Sequence, residues 1–110
     1  MKIKIHNEEW NVIITPPHSE LLMIEGIWFS GTVWPDERLI VLSNMMPEEL
    51  ARRTALKLLV KAYVSSSYFK HSQKSSVSDI FFLFSTSIIE MGDVLDKVMQ
   101  TFNSAQKEAK

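Results

Sequence analysis

The spacing of hydrophobic and polar residues changes once along the chain, near residue 47. Before that point apolar residues alternate with polar ones in short runs bounded by proline and glycine. After it they recur every three or four residues. Lys2 to His6 alternates as a short strand does, and Asn7-Glu8-Glu9 reads as a turn. Trp10 to Thr15 is rich in β-formers and stops at Pro16-Pro17, where the sheet ladder loses its donors. His18 to Met23 has room for one helical turn, and Gly26 permits a tight bend. Ile27 to Trp34 and Arg38 to Ser43, separated by Pro35-Asp36-Glu37, read as the two strands of a hairpin.

From Pro47 the period is helical. Proline suits the first helical position, and Glu48 and Glu49 favour the positive end of the helix dipole. Ala51, Ala55, Leu58, Leu59, Ala62 and Tyr63 form the apolar stripe of a helix over 47–66. Residues 65–76 are polar and Ser-rich, the pattern of a loop. A serine cap and Asp79 open a second helix over 76–103, with a stripe running from Phe81 and Phe84 through Ile88, Met91, Leu95 and Val98 to Phe102. Gly92 costs about 1 kcal/mol inside that helix, and a close helix–helix approach would account for it. Residues 104–110 are expected to fray. The expected fold class is α+β in one domain over 1–110. A small antiparallel sheet occupies residues 1–45, and a basic helix (47–66) and an apolar helix (76–103) pack on it.

Composition narrows the classes. An apolar share of 45% and a charged share of 23% are those of a globular chain rather than a disordered one. The absence of cysteine excludes disulfides and thiolate metal sites and fits a reducing cytoplasm. The start, Met1-Lys2-Ile3-Lys4-Ile5-His6, has no apolar signal region, and the strongly apolar run Ile80 to Phe84 is far short of the ~20 residues of a membrane span. The expectation is a cytoplasmic protein with no membrane partner. The net charge of −1 hides a segregation. Leu50 to Ser78 holds Arg52, Arg53, Lys57, Lys61, Lys70, Lys74 and His71, and no Asp or Glu.

The run Arg52-Arg53-Thr54-Ala55-Leu56-Lys57-Leu58-Leu59-Val60-Lys61-Ala62-Tyr63-Val64 resembles the active-site helix of small ImmA/IrrE-type zinc peptidases of phages and mobile elements. Those carry an Arg-Arg-Thr-like lead, then His-Glu-x-x-His, then alanine and an aromatic residue. Met1-Lys2-Ile3-Lys4-Ile5 with Trp10, Leu42-Ser43-Asn44 before the helix, and Ile88-Ile89-Glu90-Met91-Gly92-Asp93 extend the resemblance over roughly residues 1 to 100. It implies a reduced zincin-like fold. The chemistry departs from the pattern at its centre. Two neutral imidazoles four apart are needed to share one zinc, with a glutamate beside the first as base. Here Lys57 and Lys61 hold the ligand positions and Leu58 the base position. The family's third ligand is an acid near the start of the next helix. Asp79 is the acid within Ser75-Ser76-Val77-Ser78-Asp79, and it falls several residues late. An ammonium has no lone pair for a cation. The expectation is therefore no metal, no cofactor and no metallopeptidase activity, a pseudoenzyme.

By analogy of fold and context, the resemblance implies an interaction protein of phage or mobile-element type that inhibits a host defence system, such as an anti-CRISPR acting in a bacterial host cell. Its partner would be a host defence protein or its guide RNA. The binding residues are expected to be Arg52, Arg53, Lys57, Lys61, Lys70 and Lys74, with Arg53, Lys57 and Lys61 along one stripe, and Trp34, exposed at the end of the hairpin. Trp10 and Trp28 are expected in the core. Two other classes stay open. One is a protein-binding or homodimerising module independent of nucleic acid, using Trp34 and the Phe-rich helix. The other is a residual hydrolase with an unrecognised site.

Overall fold

A computed structural model of the chain describes the backbone of residues 1–65 and 77–109, and the side chains of residues 1–65 and 88–106. The expected loop with Lys70 and Lys74 lies outside the described residues, as do the side chains of Asp79, Phe81 and Phe84. Among the described residues six strands precede two long helices: β1 (Lys2–Ile5), β2 (Glu8–Thr15), β3 (Met23–Ile24), β4 (Ile27–Trp28), β5 (Gly31–Trp34), β6 (Leu39–Ser43), α1 (Glu48–Ser65) and α2 (Val77–Ala109). The fold is α+β. No helix among the described residues is long and apolar enough to cross a membrane.

β1 and β2 form an antiparallel hairpin in which Ile5 faces Glu8. Its two loop residues, His6 and Asn7, have φ of 49° and 67°, the left-handed pair of a type I′ turn that matches strand twist. Alternation then points Ile3, Ile5, Trp10 and Val12 into the core, while Ile13 stays exposed. The sheet runs in the order β1-β2-β6-β5. β5 pairs antiparallel with β6, but β2 pairs with β6 in parallel, Val12 beside Ile40 and Ile14 beside Leu42. The sheet is therefore mixed, not antiparallel as expected. Pro16-Pro17 end β2 without a hairpin turn, and residues 16–38 carry the chain across the sheet before β6 begins.

That crossover carries structure of its own. Ser19 caps a 3₁₀ turn at Glu20–Leu22, its hydroxyl accepting from the Leu21 N–H at 3.3 Å, and Leu22 is fully buried. β3 and β4 then form a separate two-stranded ribbon, joined by Glu25 and Gly26 at φ 52° and 80°. The expected long strand from Ile27 to Trp34 is thus broken at Phe29-Ser30. Trp10 is buried as expected, whereas Trp28 is 50% exposed, contrary to its expected place in the core. A strand of two residues has one face to bury, and here that ribbon stands clear of the main sheet.

Both helices cover one face of the sheet. α1 buries Ala51, Ala55, Leu58, Leu59, Ala62 and Tyr63. α2 contributes Met91, Val94, Val98, Met99 and Phe102. Ile88, expected in that stripe, is half exposed, and among the described residues a Cβ added at Gly92 would meet nothing within 4 Å, so none of them makes the close helix approach expected there. The tail expected to fray is helical as far as Ala109, and the Gln106 amide donates to the carbonyls of Asn44 and Met46.

Gly31 sets how near α1 lies to the edge strand. A Cβ there would stand 2.7 Å from Leu58 Cδ1 and 2.8 Å from Thr54 Cγ2. Gly31→Val is expected to lower stability by about 1–3 kcal/mol, since the branched side chain must push these two groups aside. Urea unfolding checks this, and an unchanged midpoint would contradict the close approach.

Candidate anion-binding cleft

α1 leaves its outer flank to solvent, and the charges there do not act alike. Arg53 reaches back one turn to Glu49, 2.8 Å away, and both side chains are largely exposed. Arg52 turns the other way, towards α2, and lies 3.6 Å from Asp96. Lys57 and Lys61, one turn apart, are exposed and form no ion pair among the described residues. Of the expected basic contacts, the fold brings these two together and separates the two arginines from them.

Both lysines line a cleft of about 180 Å³ between α1 and the segment joining β4 to β5. Thr54 and Leu58 complete the helix wall, and Phe29, Ser30 and Gly31 form the opposite one. Ser30, Thr54, Gly31 and the Phe29 ring surround the two lysines, and among the described residues no carboxylate borders the cleft. Two like charges at i and i+4 cost a helix about 0.2–0.5 kcal/mol. No described residue of the cleft offsets that cost, and a bound anion would.

A larger groove, about 440 Å³, runs between β1 and α2. Its charges largely cancel. Lys2, Lys4 and Lys97 face Glu9, Glu90 and Asp93, and Lys2 lies 3.2 Å from Glu9. Near Glu90, burial first and the Glu90 carboxylate second push the Tyr63 phenol well above its ordinary value, so it stays protonated. The edge of the His6 ring packs against Tyr63, centroids 4.9 Å apart. This region is a neutral core margin, and the α1 cleft carries the uncompensated charge.

The cleft does not fit a zinc ion. Lys57 and Lys61 present ammonium groups where a cation needs lone pairs, and Leu58 is a buried hydrocarbon. Among the described residues no three His, Cys, Asp or Glu side chains come close enough to share a metal.

Trp34 corrects the expectation of an exposed anchor. It is half-buried, and its indole N–H donates to the Leu21 carbonyl at 3.1 Å and to the Thr32 hydroxyl at 3.0 Å. The Thr32 hydroxyl in turn donates to Leu21 at 2.6 Å, so Trp34 helps fasten the crossover to the sheet. Among the described residues the exposed aromatics are instead Trp28 and Phe29, at 50% and 44%, with Ile27 beside them at 60%. Sequence reasoning passed over Phe29, Ser30, Gly31 and Thr54. The one signal for them was a glycine inside an apparent strand, which marks a close backbone approach.

No family model, curated protein or solved structure matches this chain.

Proposed function

We propose that this chain is a non-catalytic interaction protein with a reduced zincin-like scaffold, of phage or mobile-element type, which blocks a bacterial defence component in the host cytoplasm. Its preferred target is a CRISPR effector or its guide RNA, gripped at the Lys57–Lys61 cleft. The observation that carries this reading is the pair of exposed lysines which, among the described residues, form no ion pair and line a cleft that no carboxylate borders. Ligand chemistry supports the loss of catalysis: the positions aligned with the zinc ligands and the general base are Lys57, Lys61 and Leu58. Electrostatics supports an anionic partner, because the two lysines raise the local potential where Arg52 and Arg53 do not.

A second reading is favoured by a different observation. Leu56, Val60 and Val64 lie exposed at four-residue spacing on α1, next to the lysine row. They fit a protein-binding or homodimerising face that needs no nucleic acid.

Affinity purification of the tagged chain from a bacterial lysate with an active CRISPR system separates the two. The first reading expects recovery of an effector nuclease or its guide RNA. It also expects a loss of at least roughly tenfold, ~1.4 kcal/mol, in the double variant Lys57→Glu, Lys61→Glu. Equal recovery with that variant, or recovery of the chain alone, would overturn it and leave the apolar face of α1 as the place to mutate.

A further inference from the structure

The cleft has an aromatic margin, and this narrows the anion it takes. We infer that it receives a backbone phosphate of single-stranded nucleic acid, with the adjoining bases stacked on Phe29 and Trp28. This inference rests on the anionic-partner reading above and names its chemical class.

Three observations favour a phosphate over a protein carboxylate. First, a planar carboxylate is matched by the arginine fork, and both arginines of α1 already face carboxylates, Glu49 and Asp96. The groups left for a ligand are compact ammonium charges, with the Thr54 and Ser30 side chains beside them. Secondly, Phe29 both lines the cleft and is 44% exposed, so a ring sits within one nucleotide's reach of the lysines. Thirdly, Trp28, next to Phe29 in the chain, is itself 50% exposed and offers a second ring to an adjoining base. Cationic grooves flanked by aromatic side chains bind single strands because every base has a face to stack. A duplex hides those faces in its own stack, so the same surface discriminates against it.

Fluorescence anisotropy with the full chain and a labelled oligouridylate of roughly eight nucleotides, a length within single-strand site sizes, tests this. Binding is expected. The logarithm of affinity should fall against the logarithm of salt with a slope of about −1.4, for two phosphates at roughly 0.7 each. Lys57→Glu with Lys61→Glu should abolish binding. Trp28→Ala and Phe29→Ala should each weaken it roughly 5- to 150-fold with unchanged melting curves. The inference is overturned by no binding, by a duplex of equal length binding as well, or by polyglutamate of equal charge competing as effectively. Polyglutamate competition would point to an acidic protein face. Effector capture that depends on the lysines, with no oligonucleotide binding, sinks this inference alone. Oligonucleotide binding with no effector captured sinks the defence-blocking role and leaves the cleft assignment standing.

Discussion

Phe102→Ala is expected to cost about 3–5 kcal/mol, a large part of the stability of a chain this small. Phe102 is fully buried and belongs to the cluster in which α2 meets α1 and the sheet. Removing the ring loses its transfer free energy and leaves a cavity that neighbours on three elements cannot all close. For a domain of this size each kcal/mol moves the melting temperature by roughly 4–8 °C, so a fall on the order of 12–40 °C should follow. Ile89→Ala on the same helix is the control. Ile89 is 74% exposed, and its truncation should stay within about 0.5 kcal/mol of the parent. If both variants melt alike, α2 does not hold the core as described, and the groove between β1 and α2 loses its wall.

The contrast between Phe102 and Ile89 also marks what the sequence can reveal. A helical stripe records one packing face, so Ala51 to Tyr63 and Met91 to Phe102 were legible from spacing. Ile88 fits the same spacing and is half exposed, because period alone does not say where along its length a helix leaves its neighbours. Strand neighbours are less legible still. Alternation showed which residues of β2 face inwards, but nothing local says that β6 would lie beside it in parallel. That pairing is decided by the crossover, whose anchors, Leu22, Thr32 and the Trp34 indole, act at a distance in sequence.

The site divides in the same way. Positive charges can be counted in a sequence, whereas their partners can only be partly inferred. Arg53 and Glu49 stand four apart on one helix, a spacing that announces their pairing. Arg52 and Asp96 come from different helices, and their approach needs the fold. The sequence lists the basic residues of the face, and the fold adds that two of them, Arg52 and Arg53, have carboxylates beside them. The sequence missed the opposite wall, because Phe29 to Gly31 reach Lys57 and Lys61 only after the β3–β4 ribbon has folded out of the sheet.

Whether Lys57 and Lys61 truly converge can be settled with a metal. Lys57→His with Lys61→His places two imidazoles four residues apart on one exposed helix face, the spacing at which both can reach one zinc ion. Zinc at about a hundred times its dissociation constant should then stabilise the folded chain by about 2.7 kcal/mol. On a domain of this size that is a rise on the order of 10–20 °C in a thermal melt. The parent should not respond, because its ammonium groups have no lone pair to give. Each single histidine variant should respond far less, since one imidazole makes no chelate. Adding Leu58→Glu to the pair would test more than geometry. Leu58 is buried against Gly31, so a carboxylate there needs the cleft to open or the metal to draw it outwards. Zinc should therefore rescue the triple variant from a lower starting stability. No zinc response in the double variant would mean that the two positions diverge, and both the anion cleft and its likeness to a peptidase centre would fall together.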